Sequence, residues 1–393
     1  MSVDSNDSCF NLSKWRVPES KEITSYLEDQ VTKRVVTIWG NDGSISPLDL
    51  YCYLKARFGP PNGISMLFRK PSSDNAIQWH YTLLSGGSMI DFFGMNRLLE
   101  IRVSRVSPVS DLDWRIFIGR IKEDFKTWAS QMSKVRRSLE KWSLFINPFR
   151  RLDLMVDTLV KRLKSLDLKK PRLPPHPPNS TQQRRYMEEF SNWNQNISEA
   201  QLLGTSLRMI APVLAESFVN FIIFALAKRE IKVDPRLYAD LIRKPIDIRV
   251  KSLHLYCNGF TKEVTGESEA FKNFHTLMNA RNDLLHGNVD PSKLKFDEVF
   301  FDETIPLFRD EQSLSVRLRA NAIRYMEPEA ALNDIKTVEE FARLVLDQLD
   351  AKYRQEILRL LKESQPGWRE DDKKVGILFS DTIVEFVGIK DGV

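Results

Sequence analysis

Residues 274–291 read FHTLMNARNDLLHGNVDP, and two chemically unlike stripes run along them. At about 100° per residue, with Phe271 at zero, Phe274, Leu277, Met278, Leu284 and Leu285 cluster around roughly 290°, a face that a bundle core would cover. On the same wheel Arg281 falls at roughly 280°, in the middle of that apolar face. His275, Asn279, Asn282 and His286 fall between about 20° and about 80°, a polar stripe whose i, i+4, i+7 and i+11 spacing brings successive side chains within reach. Gly287 follows His286 directly, as a left-handed C-terminal cap favours. The spacing therefore predicts a helix over 267–286 with His286 in its last turn, where the negative end of the helix dipole favours the imidazolium.

A cation in an apolar stripe needs a partner, because an unpaired ion in a dry interior is costly. Two roles fit Arg281. One is a structural ion pair with Glu216, which lies in the apolar run VLAESFVNFIIFALA at 213–227. The other is a place at a polar cleft, where the planar guanidinium suits bidentate phosphate contacts.

The neighbouring sequence supplies a bundle for this helix. Apolar residues recur at helical spacing over 183–210, 212–230, 235–256 and 337–364, which with 267–286 makes five helices. The run 213–227 is shorter than the ~20 residues of a membrane span and carries Glu216 and Asn220. It predicts a buried core helix and no membrane partner.

Arg281-Asn282-Asp283-Leu284-Leu285-His286 resembles the R-x4–6-H motif of the HEPN superfamily, all-helical bundles that include many prokaryotic toxin and phage-defence ribonucleases. The resemblance covers roughly residues 183–365. It implies metal-independent RNA cleavage, in which the 2′-hydroxyl attacks the adjacent phosphate and leaves a 2′,3′-cyclic phosphate and a 5′-hydroxyl. His286 would then move the proton, since its ordinary pKa of about 6.5 lies near working pH. Arg281 would stabilise charge developing on the phosphate oxygens, and Asn282 would orient phosphate or imidazole, with His275 and Asn279 in support. The resemblance also implies a homodimer that brings two motifs to one cleft, an RNA substrate, no cofactor or metal, and room for a neutralising or activating partner protein; the cytoplasmic location is expected from cysteine usage and the polar amino terminus. Its counterpart is a non-catalytic dimerisation or nucleic-acid-binding module in which Arg281 and Glu216 form a structural pair.

The composition of all 393 residues is that of a globular chain, with 42% apolar and 28% charged residues, and the length predicts two or three domains. The net charge is +5 and is unevenly spread. Residues 114–173 hold 16 Lys or Arg against 6 Asp or Glu, a stripe that would attract a polyanion or simply form solvated helix faces. Cys9, Cys52 and Cys257 show no paired spacing, which argues against a disulfide framework or a zinc ribbon and fits a reducing compartment. The polar start, with early aspartates, lacks the pattern of a signal peptide.

Towards the amino terminus the periodicity changes. KRVVTIWG and IQWHYTLL read as strands, SMIDFF to LLEIRV as one or two more, and PLDLYCYLKARF as a helix opened by Pro47. NDG, FGPPNG and SGG mark turns. Asp91 with Glu100-Ile101-Arg102 offers a rival site, spaced carboxylates of the kind that hold Mg²⁺ in nucleases, although Arg102 stands where a lysine would be needed. His80, His176 and His254 read as structural or solvent-exposed. There is no P-loop and no HExxH.

The fold class expected is α+β: a small amino-terminal α/β domain over 1–110, a basic helical connector over 111–170, a proline-rich linker over 171–182, a HEPN-like helical bundle over 183–365 and a terminal β-hairpin over 366–393.

Overall fold

The computed structural model describes residues 10–28, 34–71, 75–96, 98–172, 174, 179–286, 298–309 and 328–379, and the side chains among them except those of 20, 27, 112 and 282–286. The chain is a mixed, mainly helical α+β protein and divides into two compact units. Unit 1 comprises Met1–Trp142 with Leu378–Val393, and unit 2 comprises Ser143–Ile377. The basic segment 111–170 crosses this division.

In unit 1 a four-stranded sheet runs in the order β1-β4-β3-β2, with β1 at Val35–Gly40, β2 at Trp79–Ser85, β3 at Ser88–Gly94 and β4 at Leu99–Arg105. Every pairing is antiparallel, so the expected α/β arrangement of this domain is corrected to α+β. The cause is loop length. Gly86 and Gly87, both at positive φ, make the tight turn between β2 and β3, and a few residues join β3 to β4, whereas a parallel crossover needs a dozen or more. Tyr81, Leu83, Ile90, Phe92, Ile101 and Val103 alternate onto one face and are fully or almost fully buried. Two helices, α2 (Pro47–Phe58) and α3 (Asp111–Arg137), join the same core through Tyr53, Leu54, Phe117 and Ile121. Asp124 ties them together, accepting from Tyr53 at 2.6 Å and from Arg57 at 2.7 Å. A short α1 (Ser20–Glu28) precedes β1.

Unit 2 is built on α4 (Pro148–Ser165) and a 47-residue α5, Ser180–Leu226, roughly 70 Å long at 1.5 Å per residue. Four short helices follow: α6 (Arg229–Val233), α7 (Pro235–Arg243), α8 (Ile246–Lys251) and α9 (Leu253–Tyr256). The motif helix is α10, Glu269–His286, and α11 (Pro328–Leu346) and α12 (Ala351–Lys362) complete the bundle. One described helix, α5, is apolar and long enough to cross a membrane, but 56% of its most apolar window is buried inside the protein. It is the core helix of the bundle.

Three helix boundaries differ from the sequence expectation. The chain runs through Pro212 as one helix because Leu207, Ala211, Leu214, Ala215 and Phe218 bury a continuous face on both sides of it, and this packing outweighs the backbone hydrogen bond that proline forfeits. Within 235–256, Pro245 ends α7 and Ser252 separates α8 from α9. Within 337–364, Asp350 starts α12 by accepting from the Lys352 amide, and its own amide donates to the Gly259 carbonyl at 2.8 Å. Gly259 is at φ +84°, and a Cβ there would lie 2.3 Å from the Tyr353 ring. The linker is also shorter than expected, because Asn179 and Gln182 close a capping box that starts α5 at Ser180.

Two hairpins complete the unit. β8 (Gly367–Arg369) and β9 (Lys374–Gly376) pair with each other and, through β8, with β5 (Trp142–Leu144). They lie in the segment 366–393 but turn through the charged residues 370–373; the hairpin expected there pairs VGILF with TIVEFVGI about Ser380-Asp381, and all of it beyond 379 lies outside the described residues. β6 (Val299–Asp302) and β7 (Ile305–Phe308) form a second hairpin that the sequence reading missed, although VFFDETIPLF has the β-branched and aromatic content of one.

Candidate functional site

The motif helix is held by its apolar stripe. Phe271, Phe274, Leu277 and Met278 are all buried, as their wheel positions predict. The Phe274 ring stacks on Phe341 of α11 at 3.9 Å between centroids and 10° between planes, which fixes the rotation of α10 against its neighbour. Arg281 shares that stripe and is half-buried. Its Nε is shielded from solvent and has no hydrogen-bond partner, and no ion pair to it occurs among the described residues.

On the polar stripe, His275 and Asn279 are exposed. The Asn279 amide donates to His275 Nδ1 at 3.2 Å, the i, i+4 contact that the spacing predicts. The side chains of Asn282 and His286, and the whole of Gly287, lie outside the described residues, although the helix backbone itself extends to His286.

Glu216 is not the partner of Arg281, which corrects the pairing expected from sequence. Its Oε1 accepts from Nη2 of Arg249 at 2.5 Å, and Asn220 Oδ1 accepts from Nη1 of the same guanidinium. The Arg249 side chain is only 5% exposed. Physical necessity explains the choice: the fully buried cation needs compensation more than the half-buried one does. A signal for this site is present in the sequence, since Glu216 and Asn220 sit one turn apart in an apolar run and demand a polar partner, but nothing in it singles out Arg249 in the short α8.

The basic segment is partly spent on internal contacts. Arg120 donates to the Phe10 carbonyl at 2.9 Å, Arg136 pairs with Asp49, Arg150 with Asp153 and Arg162 with Glu199. Its two helices belong to different units, α3 to unit 1 and α4 to unit 2.

The rival carboxylates on the sheet are engaged locally. Asp91 Oδ1 accepts from Thr82 at 2.6 Å and lies 3.0 Å from His80 Nε2, and Glu100 is bonded to Arg102. His80 is 3% exposed and stacks on Phe93 at 4.1 Å. The geometry is that of a satisfied strand network. Among the described residues, no group of three or more His, Cys, Asp or Glu is placed to hold a metal ion. Cys52 and Cys257 are free and buried, and burial pushes the Cys257 thiol up to about 12. His254 Nδ1 lies 2.9 Å from the Lys251 carbonyl, and His176 lies outside the described residues.

Compared with protein-family models, with curated proteins and with solved structures, the chain matches none of them.

Proposed function

We propose that the chain is a metal-independent endoribonuclease of HEPN type, with Arg281 and His286 as its catalytic residues. The observation that carries this reading is Arg281 itself, a half-buried guanidinium on the core-facing stripe whose Nε is unpartnered while the expected counterion, Glu216, is committed to Arg249. An arginine with no carboxylate partner among the described residues suits a phosphate.

In the proposed reaction His286 accepts the proton of the ribose 2′-hydroxyl as its oxygen attacks phosphorus. Arg281 stabilises the charge that develops on the non-bridging oxygens, and the bond to the 5′-oxygen breaks as that oxygen is protonated. A second imidazole suits the last role, supplied by His286 of a second copy in a homodimer. On the β6–β7 hairpin Phe300, Phe301, Leu307 and Phe308 all stand about half exposed or more, apolar surface that self-association would cover. The further parts of the reading, a toxin or defence role with a neutralising or activating partner, rest on the motif resemblance, and the cytoplasmic location rests on cysteine usage.

The test is cleavage of mixed cellular RNA in excess EDTA, with mapping of the ends. The expected outcome is chelator-resistant cleavage leaving 2′,3′-cyclic phosphates, reduced at least about 100-fold in His286→Ala and in Arg281→Ala. RNA binding without cleavage, unchanged in both variants, would instead mark a non-catalytic nucleic-acid-binding module. Cleavage that stops with EDTA would return attention to Asp91 and Glu100.

A further inference from the structure

Unit 2 holds a cleft of about 800 Å³, open to solvent, between α4, α5, α7 and the β5–β8 region, and none of the described side chains of α10 lines it. One wall is aromatic. Phe224 stands 5.0 Å from both Phe145 and Trp368, centroid to centroid, and 6.5 Å from Phe221, so four rings form a continuous apolar surface. Tyr238 and Ile242 of α7 also line the space. Behind the aromatic wall, Lys232 Nζ donates to the Ala225 and Lys373 carbonyls and lies 5.6 Å from the Trp368 ring, and burial pulls the amine down to about 8.

The polar groups of the lining are few: the hydroxyls of Ser143 and Tyr238, and on α5 Glu216, Ser217 and Asn220. Glu216 uses Oε1 for Arg249, and among the described residues nothing bonds Oε2. Asn220 uses Oδ1 for the same guanidinium, and its amide nitrogen has no partner among the described residues. The lining thus offers an acceptor and a donor one helical turn apart. Because Arg249 already balances the Glu216 charge, a cationic ligand would gain little attraction while losing its hydration. A neutral molecule loses far less. The volume lies in the range of small-molecule sites, which combine apolar walls with a few placed polar groups.

We propose that this cavity is a binding site for a neutral, largely aromatic small molecule that donates a hydrogen bond to Glu216 Oε2. The assignment stands apart from the ribonuclease reading, since it uses none of the motif residues.

N-phenyl-1-naphthylamine is a direct probe, being neutral and aromatic with a single N–H donor and brighter in apolar surroundings. Titrated into the full chain, it is expected to bind saturably at one site per chain, with energy transfer from tryptophan. Ser217→Phe fills the cavity from the α5 wall and is expected to weaken binding at least about tenfold with the melting temperature unchanged. Should that variant melt early, Val213→Trp fills the same space from a half-exposed position. The N-methyl analogue of the probe, which has lost the donor, is expected to bind about tenfold more weakly. Equal binding by wild type and a folded, filled variant overturns the site, and equal binding of both probes overturns the role of Glu216. No saturable binding overturns the proposal, and if Ser217→Phe then turns a dimer into monomer the cavity is a subunit interface.

Discussion

Arg249 and Arg281 both project from helices into unit 2, and their surroundings give them opposite energetic weight. Arg249 is 4% exposed and bonded to two side chains of α5. Truncating one member of such a buried pair strands the other, so Arg249→Met is expected to cost on the order of 3 kcal/mol in urea unfolding. Arg281 is half-buried and lacks an ion pair among the described residues, so Arg281→Ala is expected to cost less than about 1 kcal/mol while abolishing cleavage. Strong destabilisation by Arg281→Ala, with Arg249→Met silent, would identify Arg281 as the structural cation and remove the support for its catalytic role. The wheel placed Arg281 correctly beside the core. Its counterion was not legible, because a helical wheel fixes directions within one helix and leaves open which helix comes opposite.

At the scale of the element, α10 owes its position to α11. The stacked Phe274 and Phe341 rings are both essentially inaccessible to solvent. Phe341→Ala is expected to cost about 3–5 kcal/mol through lost transfer energy and the cavity left behind, and to speed amide exchange across α10 in hydrogen-exchange measurements. Unchanged protection there would mean that other contacts hold the motif helix. Local signals set most elements: Pro47 and Ser46 open α2, Gly86 and Gly87 turn the β2–β3 hairpin, and Asn179 caps α5. They failed at Pro212, where a local helix breaker is outweighed by the apolar residues packed on both sides of it.

For the whole molecule, the two units have separate cores. Phe10 to Ile121 make one, and Val156 to Leu361 make the other, with no buried residue in common. Two cores of this size predict two unfolding transitions. Calorimetry of the full chain is expected to resolve them, and Arg249→Met is expected to lower only the transition of unit 2. A single concerted transition, shifted as a whole, would show that the units fold as one.

The sequence by itself determined the strands of the unit 1 sheet and its helix α2, the amphipathic face of α10 with Arg281 in it, and the change from a strand-rich to a helical region, because each depends on periodicity, capping or turn chemistry within a few residues of chain; it did not mark α1. Tertiary structure alone decided that α5 is unbroken, that Glu216 serves Arg249, and that Phe145, Phe221, Phe224 and Trp368 line one cleft with Glu216 and Asn220. Those outcomes compare the burial costs of groups far apart in sequence. Only the packed fold sets such groups against one another.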